Sequence, residues 1–91
     1  MSSGRKKVSV IGAVQKPGSL PWTEGMKLID AISLAGGLTA LANGDHVRVT
    51  RNVSGNQTAT TTVSVDDISE GRMADLLLQA GDTIKVDQRV F

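Results

Sequence analysis

The sequence contains no cysteine, which removes disulfide staples and thiolate metal sites and leaves the redox compartment unassigned. Aromatic residues are nearly missing: one tryptophan, one phenylalanine and no tyrosine in 91 residues. A surface that stacks nucleobases on aromatic rings is therefore excluded. Charge of one sign is lacking too, since 10 Lys+Arg stand against 9 Asp+Glu for a formal net charge of +1. Such a balance creates no field that draws nucleic acid or anionic membrane, and outside Arg5, Lys6 and Lys7 the basic residues are dispersed. Apolar residues make up 40% of the chain, but no run approaches the roughly 18 that a membrane helix needs. Neither nucleic acid nor direct membrane insertion is expected.

The chemistry of catalysis is equally sparse. The single histidine, His46, has no motif around it that would supply a nucleophile or an orienting carboxylate. Asp66 and Asp67 are adjacent, a spacing that suits helix capping better than paired acid and base. No phosphate-binding glycine string follows a strand. The expectation is a protein that is not an enzyme, with no cofactor and no metal site.

What is present is a patterned start from Val8 to Gly37. Alternation over Val8, Val10, Gly12 and Val14 predicts a strand. Lys16-Pro17-Gly18-Ser19 fits a type II turn, with proline presetting φ and Gly18 taking φ > 0. Gly18 to Trp22 then supplies a return strand, and Pro21 places it at an edge. Thr23 reads as an N-cap for a helix whose Leu28, Ile29, Ile32 and Ala35 share one face, ending at Gly36-Gly37 in the left-handed conformation.

Asn43-Gly44 offers another left-handed turn, and His46 to Arg51 alternates as a third strand with Val47 and Val49 inward. Asn52 to Asn56 reads as a loop. Gln57 to Val65 is rich in threonine and valine, predicting a fourth strand with Ala59, Thr61, Val63 and Val65 on one face. Asp66 or Asp67 would cap a helical turn ending at Gly71. At least two of Leu76, Leu77 and Leu78 should be buried. Ala80-Gly81-Asp82 then turns into a last strand, Thr83 to Asp87, expected to lie centrally beside the first. The sum is an α+β chain of the β-grasp, ubiquitin-like class, with a mixed sheet of four to five strands against one main helix. Residues 1–7 read as a flexible start or an expression remnant, and residues 8–91 as the domain.

Candidate contact residues are few. Trp22 has two readings, as a core residue closing the helix against the hairpin or as an exposed platform for a sugar ring or a neighbouring subunit. Arg48 and Arg51 carry forked donors suited to carboxylates of an acidic sugar or a partner. Gln15 and Lys16 lie on the exposed first turn, which with the edge strands offers surface for docking. Gly12, Pro17, Gly18, Gly36, Gly37, Gly81 and Asp82 are read as the turn positions that shape the fold.

Val10-Ile11-Gly12-Ala13-Val14 with Lys16-Pro17-Gly18, Leu28-Ile29-Asp30-Ala31-Ile32 leading to Ala35-Gly36-Gly37-Leu38-Thr39, Val47-Arg48-Val49-Thr50-Arg51, and Leu78-Gln79-Ala80-Gly81-Asp82-Thr83-Ile84-Lys85-Val86 resemble the soluble-ligand-binding β-grasp (SLBB) domain of bacterial polysaccharide export proteins. The resemblance spans residues 8 to 91 in the family's order. It implies a non-catalytic periplasmic module, attached to the outer membrane in its parent protein, that contributes to export of capsular polysaccharide or exopolysaccharide. Implied partners are the polysaccharide, further copies in a homo-oligomeric ring and an inner-membrane polysaccharide co-polymerase. The lipidated cysteine, preceding export domain and terminal helix of the full export protein have no counterpart here, so an excised domain or a stand-alone relative is expected. The competing expectation is a ubiquitin-like adaptor or a β-grasp module of an intracellular redox complex.

Overall fold

Five strands and two short helices form the protein in a computed structural model that describes residues 6–88. Strand β1 (Lys7–Gly12) pairs antiparallel with β2 (Gly18–Pro21), from Lys7 opposite Pro21 to Val10 opposite Gly18. Helix α1 (Leu28–Leu34) follows, then β3 (Ala42–Ser54), β4 (Gln57–Val63), helix α2 (Val65–Ser69) and β5 (Thr83–Gln88). The sheet order is β2-β1-β5-β3-β4, with β5 parallel to β1 and antiparallel to β3. First and last strands are therefore neighbours at the centre, as expected, and the architecture is an α+β fold of the β-grasp type.

The core lies between the central strands and α1. Register brings Val10 beside Ile84, Val49 beside Ile84 and Val47 beside Val86, so the inward side chains of β1, β5 and β3 form one apolar floor. Leu28, Ala31, Ile32 and Ala35, spaced three and four apart, close over it and are buried. The end of α1 follows a Schellman pattern: Gly36 N–H donates to Ser33 O and Gly37 N–H to Ile32 O, with φ of 87° and 91°.

Several expectations need correction. The first reversal is not a tight turn at Lys16–Ser19. The chain bends at Gly12, Gln15 N–H donates to Gly37 O and Lys16 N–H to Ala35 O, and Gly18 opens β2. Anchoring to the end of α1 thus replaces the compact turn, and strand alternation breaks after Gly12, so that Ala13 and Val14 are both buried. Thr23 is not the N-cap: its carbonyl accepts from Met26 N–H in a turn, and the helix begins after Lys27, whose N–H donates to Asp30 Oδ2. Asn43-Gly44 is not a left-handed turn but part of β3, Gly44 being absent from the positive-φ glycines and buried against Asp66.

The expected loop at Asn52–Asn56 is mostly strand, because β3 continues to Ser54 and pairs across a short turn with β4 from Gln57. Of the residues expected on one face of β4, Ala59 and Thr61 are exposed and Val63 is buried. Val65 belongs to α2 and not to β4. Only Leu78 of the three consecutive leucines is buried; Leu76 is half-buried and Leu77 is 55% exposed. β1 begins at Lys7, and Lys6 O accepts Trp22 N–H at 2.9 Å, so Lys6 and Lys7 belong to the fold. The rest of the expected loose start, residues 1–5, lies outside the described residues, as do residues 89–91 of the expected domain.

Capping of α2 falls to Ser64 instead of Asp66 or Asp67. Its Oγ accepts from Asp67 N–H at 3.1 Å and donates to Asp45 Oδ1 at 3.1 Å, linking the helix start to β3. Ser64→Ala is expected to destabilise the protein by about 1 kcal/mol in urea unfolding, the usual value of a lost N-cap. Asp67→Ala, by contrast, should cost less, since it leaves the cap intact.

Candidate functional site

The segment Leu76–Asp82 is where two of the predicted contact residues, Trp22 and Arg51, meet. It has no regular secondary structure, so its backbone groups need partners from elsewhere. Leu28 N–H donates to Leu76 O, Leu78 N–H to Met26 O, Gly81 N–H to Lys7 O, and Ser9 N–H to Asp82 O. Trp22 and Arg51 reach the same segment from opposite sides. Trp22 Nε1 donates to Leu78 O at 3.1 Å and an Arg51 Nη2 donates to Leu77 O at 3.2 Å.

Arg51 also forms a two-pronged pair with Asp82, Nε to Oδ1 at 3.1 Å and Nη2 to Oδ2 at 3.0 Å. Asp82 is 1% exposed, and its Oδ2 further accepts Gln79 N–H at 2.8 Å. This fork geometry is specific to arginine. The hydrogen bond to Asp82 raises the Arg51 pKa above its ordinary value, desolvation opposes that, and the charge of Asp82 adds to it. The guanidinium is consequently held charged and committed to an internal carboxylate. As far as the guanidinium's own titration goes, its contribution to stability is present below the ordinary arginine range and is lost as pH rises through the raised value.

Arg48 sits on the helix-free face, between buried Val47 and Val49, and pairs with Asp87 at 3.0 Å. Gln15 and Lys16 are exposed at the far end of β1 from Trp22, their amides tied to the end of α1. The structure therefore joins Trp22 to Arg51 through Leu77–Leu78, and leaves Arg48, Gln15 and Lys16 apart from them.

Trp22 is half-buried and combines both sequence readings. The indole N–H is used internally, and the ring borders a groove of about 490 Å³ lined by Lys6, Lys7, Ser19, Leu20 and Pro21. Lys6 Nζ lies 5.4 Å from the ring centroid, within the range of a cation–π contact. The Lys6 ammonium thus lies over the indole, and Lys7, Ser19, Leu20 and Pro21 of the paired strands complete the lining of the groove. Lys6, Lys7 and Ser19 were not singled out from sequence, because only the pairing of β1 with β2 brings them beside Trp22. A broader hollow of about 810 Å³ runs along the helix-free side of β5, bordered by Gly12, Asn43, His46, Lys85 and Asp87. There the His46 Nδ1 and Asn43 Nδ2 are 3.2 Å apart. Among the described residues, no group of three or more His, Asp or Glu is placed to share a metal ion.

Comparison with known proteins gives one family. A model described as the SLBB domain matches residues 6–86. No curated protein matches the chain. With β1 and β5 at the centre of a β-grasp sheet and the matched residues running from Lys6 through Val86, the chain belongs to the SLBB domain family, a class of ligand-binding modules common in polysaccharide export proteins.

Proposed function

We propose that the chain is a non-catalytic periplasmic module of an outer-membrane protein that exports capsular polysaccharide or exopolysaccharide, holding the glycan and touching neighbouring subunits. Family membership over residues 6–86 is the observation that carries this reading. The Trp22 groove supports it in chemical terms. Ammonium groups at Lys6 and Lys7 suit sugar carboxylates, Ser19 suits ring hydroxyls, and the edges of Trp22 and Pro21 suit the apolar face of a pyranose. Arg51 does not line this groove, and its Nε and Nη2 donate internally to Asp82 and Leu77. Homo-oligomeric ring contacts and an inner-membrane co-polymerase belong to the parent assembly in this reading. No helix among the described residues is long and apolar enough to cross a membrane.

The test is a ¹⁵N NMR titration of the full chain with an acidic oligosaccharide. Shifts are expected at the amides of Lys6, Lys7 and Ser19 and at Trp22 Nε1, with a dissociation constant on the order of 1 mM, about −4 kcal/mol. Lys6→Glu should reduce the response severalfold by replacing attraction with repulsion. A titration that moves none of these signals at several-fold excess over that concentration rejects glycan binding at the groove.

A further inference from the structure

The two edges of the sheet are built differently. β2 is four residues long and contains Pro21, which has no N–H to offer a partner strand. β4 is seven residues, Gln57-Thr58-Ala59-Thr60-Thr61-Thr62-Val63, about 24 Å at the usual rise per residue. It carries no charge, proline or glycine. Its pairing with β3 runs without irregularity from Val63 opposite Val47 to Thr58 opposite Asn52. Every residue from Gln57 to Thr62 is exposed, and among the described residues no backbone bond joins β4 to anything beyond β3. Edges of this kind are normally blunted by lysine, proline, a bulge or a covering loop. Among the described residues, β4 has no lysine, proline or covering loop, and the one register shift of its pairing lies at the turn end, between Asn52 and Ser54 of β3.

We infer that β4 is a docking edge for β4 of a second copy of this chain, the two strands pairing antiparallel about a two-fold axis that passes near Thr60. The occupant follows from charge and symmetry. A two-fold pairing sets the strand against itself, so any ionic side chain near its centre would meet its own copy, and like charges opposed across strands are unfavourable. The β4 sequence has none, and cross-strand threonine pairs are favourable, as Thr50 and Thr60 already show with their hydroxyls 3.2 Å apart. The arginines of neighbouring β3 are neutralised within the chain, Arg48 by Asp87 and Arg51 by Asp82. The strand that would meet its copy is therefore uncharged, and the two arginines beside it are paired. A small hollow beside the edge, lined by Val49, Arg51, Ala59, Thr61 and Leu76, offers the incoming strand aliphatic contacts, with Arg51 there already paired to Asp82.

One strand edge buries well below the ~800 Å² per partner of a standard interface, so the pairing is weak and concentration-dependent. It closes at two copies and generates no ring by itself, and it stands independently of glycan binding at the Trp22 groove.

Sedimentation velocity of the full chain from about 10 µM to about 1 mM, spanning weak affinities, is expected to show growth of a dimer. Thr60→Lys and Thr60→Glu, each on an exposed position that leaves the β3 pairing in place, should each weaken self-association by about tenfold or more through like-charge opposition, while an equimolar mixture of the two should associate again. Amide exchange at residues 57–63 of the unmodified chain should slow as concentration rises. A strictly monomeric chain at 1 mM, or variants that associate as the parent does, overturns the inference. If either variant fails to fold, the exchange measurement decides: protection that does not change with concentration also overturns it.

Discussion

Arg51→Met is expected to destabilise the protein by about 3 kcal/mol, the low end of the range for removing one partner of a buried ion pair. The asymmetry of the pair sets this value. The Asp82 side chain is 1% exposed while that of Arg51 is 33% exposed, so deleting the guanidinium leaves a carboxylate inside the fold without its counter-charge, though water can reach part of the vacated space. The substitution also removes the donor to Leu77 O and so loosens the irregular segment that links α2 to β5. Urea unfolding at neutral pH reads the loss. Combining Arg51→Met with Asp82→Asn should recover part of it, because the charge that lacks a partner is then gone, and that coupling separates the ion pair from packing. Arg48→Met is the control: its pair with Asp87 lies on the surface, and a change under about 1 kcal/mol is expected. Equal losses for the two arginines would refute an internal role for Arg51.

Gly12→Ala should cost about 2–5 kcal/mol, from two separable sources. Gly12 has φ of +95°, where an L side chain is strained, and a Cβ built there would lie 2.1 Å from Val86 O. The obstacle is backbone in the central strand, not the end of a flexible side chain, so relief requires β1 and β5 to move apart. That displacement would break the bond from Ala13 N–H to Val86 O, 2.9 Å long. Gly55→Ala provides the comparison, since Gly55 has φ of +52° with open space around it and should show the conformational term alone, about 1 kcal/mol. Calorimetric or denaturant unfolding of both variants measures the difference. If the two cost the same, the close approach of β1 to β5 is not what selects glycine at position 12. For a chain of this length, with stability of order 5–14 kcal/mol, either Arg51→Met or Gly12→Ala would remove a substantial share.

The Arg51–Asp82 pair also shows where reading residues in order stops. Both positions stand in stretches that carry the family resemblance, where the order of residues suggests a turn at Asp82 and a ligand donor at Arg51. Their partnership spans 31 positions and exists only because β3 and β5 are adjacent in one register, with Thr50 opposite Thr83. Trp22 is similar. Its amphipathic character is evident from its type, but the acceptor, Leu78 O, is 56 positions away. The differences at Thr23, at Asn43-Gly44 and over Asn52–Asn56 share a cause: turn-forming residue types act locally, while pairing and helix placement are decided by distant strands. Alternation puts Ala59 and Thr61 on one face with Val63, but it gives the face a residue occupies and not whether anything covers that face.

The order of residues was sufficient for the elements and their sequence along the chain: alternating valines in the central strands, the three-and-four spacing of Leu28, Ala31, Ile32 and Ala35, and the glycine pair that ends the helix. These follow from local sterics and periodicity, which act within a few positions. Tertiary structure alone decided which polar groups were already spent and which surfaces stayed open. Arg51 is paired with Asp82, Lys6 lies over Trp22, and among the described residues β4 is left bare along one side. The reason is physical: ion pairs, grooves and edges arise from contacts between strands far apart in the chain, and sheet register, not neighbouring residue type, determines them.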